Sequence, residues 1–250
     1  MEAQRSAQVW RHQPMFRRPR HFHEEPEINL VMRGSALVGV GEQELALGQG
    51  QAVVFQPGQD HELLVASEDL ELYVVAVRPE LAAKEPSLFA AARGAAQLSK
   101  EDLAQVARAL QGLGQVSAAN AVECGVVDVW SQVVACCSKP EGVARRAIAV
   151  LSEERSVPGA ELAGRLNTTP SELSRVFRRS FGLPMVEYRA RLRLLEFVRL
   201  VDSGQDLTGA ALNADFGSYA QCFRVFHRKL GCSPSEYFSG KRDELSQRLR

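Results

Sequence analysis

Residues 162–182 read LAGRLNTTPSELSRVFRRSFG, and residues 210–231 read AALNADFGSYAQCFRVFHRKLG. In the first stretch Leu162, Ala163 and Leu166 carry the apolar spacing of a short helix, Asn167 and Thr168 supply a turn, and Thr169-Pro170-Ser171-Glu172 opens a second helix. Threonine at a cap with glutamate three residues on has the form of a capping box. Pro170 falls at the first helical position, where its missing N–H costs nothing. The helix runs to Gly182, a residue suited to the left-handed conformation that ends helices. Two short helices joined by a tight turn make a helix-turn-helix unit.

The second stretch repeats the first. At a spacing of forty-nine, Arg175 maps to Arg224, Phe177 to Phe226, Arg179 to Arg228, Gly182 to Gly231, Glu187 to Glu236 and Tyr188 to Tyr237, and a cap recurs as Ser218 with Gln221. Upstream of the turn the spacing is forty-eight, so the second turn is one residue longer, a change that loops absorb. Helical periodicity points Leu173, Val176 and Phe177 inward and leaves Ser171, Ser174, Arg175 and Arg178 as a polar stripe, matched by Ala220, Phe223, Arg224 and His227. A helix seated in the major groove needs small side chains for close approach and arginine to grip guanine through two hydrogen bonds. Between the copies, 186–201 reads as a long helix bearing Arg189, Arg191, Arg193 and Arg199, a spacer whose outer arginines suit phosphate contact.

Working outward, residues 28–77 read as six short strands, 28–32, 36–40, 43–47, 51–55, 61–65 and 70–77, separated by Gly34, Gly41, Gly48, Gly50 and Pro57-Gly58. This spacing predicts a small antiparallel barrel or sandwich. After Pro86 the pattern turns helical: Ser99 with Asp102 caps a helix carrying Leu103, Val106 and Leu110, and a second helix after Gly114 carries Val122, Val126, Val129, Trp130, Val133 and Val134. That stripe is wide enough both to close the β core and to pair with a second copy, and the sequence does not choose between them. Ser138–Gly142 has the punctuation of a linker.

The chain of 250 residues has a formal net charge of zero. It is polarised, however. Residues 1–140 hold 12 Lys and Arg against 17 Asp and Glu, and residues 141–250 hold 18 against 13, so the half with the repeat carries +5 and the other −5. A basic module behind an acidic one suits a phosphate-binding half attached to a non-binding half. No apolar run reaches the roughly 18 residues of a spanning helix, and the N-terminus has no apolar signal core, so a cytoplasmic protein with no membrane partner is expected. Five cysteines without framework spacing are expected to be thiols.

A second constellation is His21-Phe22-His23, then Glu27, Gly34 and Pro57-Gly58-Gln59-Asp60-His61. On a strand His21 and His23 face one way, and turns bring Glu27 and His61 toward them, three nitrogens and one carboxylate for a divalent ion. The pattern resembles the cupin signature of metal-binding jelly rolls. The same groups could equally hydrogen-bond one another or an effector, and DNA binding requires no cofactor. Arg17, Arg18 and Arg20 could meet an anionic effector or form a solvated arm.

The stretch from Leu162 to Tyr237, with Ser174-Arg175-Val176-Phe177-Arg178-Arg179 and the closing Phe223-Arg224-Val225-Phe226 through Gly231-Cys232-Ser233-Pro234-Ser235-Glu236-Tyr237, resembles the DNA-binding domain of AraC/XylS transcriptional regulators. The resemblance implies base-reading positions at Ser171, Ser174, Arg175, Tyr219, Ala220, Phe223 and Arg224. Arg178, Arg179, Arg189, Arg228 and Lys229 complete the expected DNA-binding set. Four residues depart from the family pattern. Asp215 stands at the usual turn glycine, Gly209 at a glutamate, Cys222 at a larger apolar residue and Phe223 at a small polar one. Phe223 either meets a thymine methyl or turns inward beside Cys222.

The expected architecture is an α+β multidomain chain. A jelly-roll or cupin-like sensor barrel spans 1–90, a helical pair 91–137, a linker 138–143, and an all-α domain with two helix-turn-helix units joined by a long helix 144–250. The expected function is sequence-specific transcriptional regulation without catalysis, with double-stranded DNA and a small-molecule effector as partners and RNA polymerase and a second copy as further candidates. The competing reading is a metal-dependent cupin enzyme fused to a DNA-binding domain.

Overall fold

A computed structural model of the chain describes residues 6–12, 20–84, 95–113, 119–137 and 142–239. Arg17, Arg18, Pro86, Gly114 and residues 138–141 of the expected linker lie outside the described residues. The chain divides into two compact units. The first holds Met1–Arg17, Glu24–Pro57 and His61–Gly142; the second holds Arg18–His23, Gly58–Asp60 and Val143–Arg250.

The first unit is built on strands β1 (Ala7–Arg11), β2 (Glu27–Arg33), β3 (Ala36–Val40), β4 (Gln43–Leu47), β5 (Gln51–Phe55), β6 (His61–Ala66), β7 (Glu71–Val77) and β8 (Ala95–Gln97). Helices α1 (Pro79–Lys84), α2 (Lys100–Leu113) and α3 (Ala119–Cys136) complete it. The strands form two antiparallel sheets, ordered β1-β7-β2-β5-β8 and β4-β3-β6. Among the described residues no pairing joins the two sheets, so the unit is a jelly-roll-like sandwich rather than a closed barrel.

Strand alternation explains why its sequence is so apolar. From the larger sheet Val31, Val53, Phe55, Leu72 and Val74 meet Ala36, Val38, Val40 and Leu47 of the smaller one. The other face of the same strands, Ile28, Leu30, Ala52, Val54, Val75 and Val77, packs with Val106 and Leu110 of α2 and Val122, Val126, Val129, Trp130 and Val133 of α3. A sheet covered on both faces replaces the in–out alternation of a half-exposed strand with a continuous apolar run, as in 72–77.

That arrangement also decides the α3 stripe. Trp130, Val126 and Val133 are fully buried against the sheet, so these side chains close the core, while Val127 and Val134 on the same helix are half-buried. Ser99 Oγ accepts the Asp102 amide at 3.0 Å and so caps α2.

From Val143 onward the second unit is helical, built on α4 (Gly142–Glu153), α5 (Gly159–Arg165), α6 (Pro170–Phe181), α7 (Met185–Asp202), α8 (Leu207–Asn213), α9 (Tyr219–Leu230) and α10 (Pro234–Phe238). The repeat is therefore α5-turn-α6 and α8-turn-α9, with α7 between. Asn167 (φ 52°) and Asp215 (φ 62°) occupy the same left-handed position in the two turns. Asn and Asp enter this region more readily than other side chains, which is how Asp215 replaces a turn glycine. Gly182 and Gly231 close α6 and α9 at φ 74° in both copies.

Behind the first repeat Phe177 packs between Phe181 and Tyr188, with ring centroids 4.7 and 5.3 Å away. Behind the second, Phe226 packs on Phe197 and Tyr237 at 5.7 and 5.5 Å. Equivalent aromatic anchors thus support both copies.

Candidate nucleic-acid interface

Local hydrogen bonds set where α6 and α9 begin. Thr169 Oγ1 accepts the Glu172 amide and Ser218 Oγ the Gln221 amide, both at 3.2 Å. The expected boxes are only half made. Glu172 Oε2 instead accepts the Thr168 hydroxyl at 3.3 Å, and Gln221 Oε1 accepts the Gly217 amide at 2.8 Å, so neither side chain returns to its cap backbone. The full reciprocal box occurs at α10, between Ser233 and Glu236.

With their starts fixed, the two helices turn their apolar faces inward. Leu173, Val176, Phe177 and Phe181 of α6 and Cys222, Phe226 and Leu230 of α9 are buried. Ser171, Ser174, Arg175, Arg178 and Arg179 are exposed on α6, as are Ala220, Phe223, Arg224 and Arg228 on α9, with Tyr219 and Lys229 half-buried. Arg175 is held loosely by Glu172 at 3.7 Å. Cys222 lies fully buried, its thiol pushed up to about 12 by desolvation, while Phe223 points out, which resolves the two orientations open to Phe223.

The arginines of α7 are less available than the sequence suggests. Arg189 is half-buried and donates through Nε to the Arg155 carbonyl at 3.0 Å; burial, and then the nearby Arg193 charge, lower its pKa. Arg193 lies 5.2 Å from the Phe216 ring centroid and donates to the Asp215 carbonyl. Arg199 is paired with Glu196, and Lys229 with Glu187. Arg191 is not an outer arginine at all: it is buried, and Nη1 donates to Asp60 Oδ1 at 2.5 Å and to the Gly58 carbonyl at 3.3 Å.

Asp60 therefore belongs to a built site in the second unit. It also accepts from Arg20 Nη1 at 3.2 Å, and Gln59 Nε2 donates to the Phe181 carbonyl at 3.0 Å. Arg20 is thus engaged with a carboxylate rather than free in a solvated arm. Burial raises the Asp60 pKa, but the hydrogen bonds and charges of Arg191 and then Arg20 outweigh it and hold the carboxyl below its usual value. Gly58 permits the turn because its φ of +76° is a left-handed conformation that other side chains rarely adopt.

The four metal-ligand candidates divide between the units. In the second, His21 makes a single β-bridge, Phe22 and His23 are irregular rather than extended, and the two imidazole centroids lie 5.7 Å apart. In the first, Glu27 Oε1 is 3.4 Å from His61 Nε2 and accepts Asn29 Nδ2 at 2.7 Å, and His61 stacks on Phe55 at 4.0 Å. Asn29 was not singled out from the sequence; its place two residues after Glu27 on one strand is the signal that could have found it.

Comparison with known proteins agrees with both units. Residues 9–122 match the AraC-like ligand binding domain family, and residues 162–240 match a helix-turn-helix domain family. The arabinose operon regulatory protein of Escherichia coli (strain K12) is 26% identical over 239 residues, covering 88% of this chain and 82% of that one. A crystal structure of ToxT from Vibrio cholerae O395 shares the fold with a TM-score of 0.51 at 16% identity, over 93% of this chain and 96% of that one. A P21-form structure of ToxT from Vibrio cholerae gives 0.50 at 13% identity, over 92% and 96%. With a ligand-binding domain ahead of a doubled helix-turn-helix, this chain belongs to the AraC family of effector-responsive, DNA-binding transcriptional regulators.

Proposed function

We propose that α6 and α9 are the recognition helices, and that each enters the major groove with its exposed stripe. Arg175 and Arg224 are the principal base readers, supported by Ser171, Ser174, Tyr219, Ala220 and Phe223. Arg178, Arg179, Arg189, Arg228 and Lys229 face phosphates. One observation carries this reading: two helices with a left-handed residue in the preceding turn, a hydroxyl cap and a left-handed glycine stop each present an exposed arginine at the equivalent position. Two such units in one chain suit two successive major-groove segments, so a second copy of the chain is not required for binding. Binding requires no cofactor, and RNA polymerase and a second copy of the chain are further partners in this reading. A regulator working on bacterial DNA would act in the cytoplasm; no described helix is long and apolar enough to cross a membrane.

For the effector, the reading rests on Glu27, Asn29 and His61, a buried polar cluster in the first unit. A few convergent polar groups among apolar side chains are what orients a small molecule through its own donors and acceptors. Selection of duplexes from a random pool by the full chain, followed by anisotropy titration with and without candidate small polar molecules, tests both parts. Failure to enrich any sequence overturns base reading, and an Asn29→Ala variant that keeps full effector response overturns the effector site.

A further inference from the structure

The two recognition helices offer different chemistry. At the forty-nine-residue spacing Tyr219, Phe223 and His227 of α9 stand where α6 has Pro170, Ser174 and Arg178. The α9 residues form one row. The Phe223 ring lies 6.4 Å from Tyr219 at a steep angle and 6.1 Å from His227 with the planes only 14° apart. Phe223 is 38% exposed although the buried site beside it holds only the small Cys222. An apolar ring kept in water, braced on both sides and flanked by Arg224 and Arg228, fits an apolar partner embedded in an anionic surface. In the major groove that partner is the thymine 5-methyl group, since the other base edges there offer only donors and acceptors.

Resting on the proposed base-reading function of α9, we propose that Phe223, positioned by Tyr219 and His227, reads thymine methyl groups. The second unit is then selective for thymine at the base it faces, whereas α6, with Ser174 at the matching position, reads by hydrogen bonds alone. The methyl is the sole difference between thymine and uracil, so the contact can be deleted from the DNA without touching the protein.

The experiment uses the full chain and a duplex enriched from a random pool, with deoxyuridine replacing thymidine one position at a time. Removing one buried methyl should weaken binding about fourfold, the value of burying one methylene-sized group. The loss should occur in one half-site only and disappear in Phe223→Ser, while Phe223→Leu keeps part of it. Phe223 is exposed, so both variants should retain wild-type helicity. If the enriched duplex is preferred over a scrambled one but no uracil substitution changes affinity, methyl reading is overturned and base reading stands. If Phe223→Ser keeps the uracil penalty, a different residue makes the contact and the proposal fails. If no duplex is preferred, the base-reading function itself falls.

Discussion

Replacing Arg175 with alanine should separate recognition from folding. Its side chain is 66% exposed, and its ion pair with Glu172, itself 54% exposed, spans 3.7 Å. Such a surface pair contributes about 0.5 kcal/mol or less, so the melting temperature should hold nearly constant. A two-bond contact to guanine is worth about 1–3 kcal/mol of discrimination, which at about 1.4 kcal/mol per decade is a loss of roughly 5- to 150-fold. The assay is fluorescence anisotropy on an enriched and a scrambled duplex over a series of salt concentrations. Arg175→Ala should lose affinity mainly for the enriched duplex. Arg179→Ala, an exposed change in the last turn, should weaken both duplexes alike and lower the salt slope by about one. Equal losses on both duplexes for Arg175→Ala would refute its role as a base reader.

Three further outcomes follow from the packing. Arg191 and Arg20 hold the Asp60 carboxyl below its usual value, so its stabilising contribution is present above the unfolded pKa and is lost as pH falls through the folded one. Thermal scans from pH 7 to pH 3 should therefore fall more steeply for the wild type than for Asp60→Asn, and parallel curves would contradict the pairing. Asp215→Gly should stabilise the chain by about 0.5–1 kcal/mol by relieving a positive φ, read from chemical denaturation, and a loss of stability would show that the aspartate side chain is needed. Trp130→Ala should cost about 3–5 kcal/mol, because it empties a fully buried site between α3 and the larger sheet; a loss under 1 kcal/mol would place that stripe outside the core.

Local signals made much of the fold legible. Strands 36–40, 43–47 and 51–55 agree with β3, β4 and β5 to the residue because glycine turns bound alternating apolar runs. Strands β1 and β8 escaped notice. Their pairings, Ala7 with Val77 and Gln51 with Gln97, lie far apart in sequence, and edge strands of three to five residues carry little periodicity. The α3 stripe looked surplus because the second apolar face of the sheet is visible only once β2, β5 and β7 are known to be neighbours.

The caps and turns of the interface could be read in the same way, since each depends on residues three or four apart. Side-chain commitments could not. Glu172 and Gln221 turn to Thr168 and Gly217 instead of their caps, and Arg191 is drawn to Asp60 across 131 residues of sequence. These outcomes rest on tertiary competition that periodicity does not encode.

The most direct test of base reading by α6 and α9 is the ratio of affinities of the full chain for an enriched duplex and for a scrambled duplex of equal composition, measured at physiological salt. The account predicts a ratio of about a thousand or more, the range of specific over non-specific binding. Equal affinities, with both duplexes released alike by salt, would leave a basic surface without base readers and contradict it.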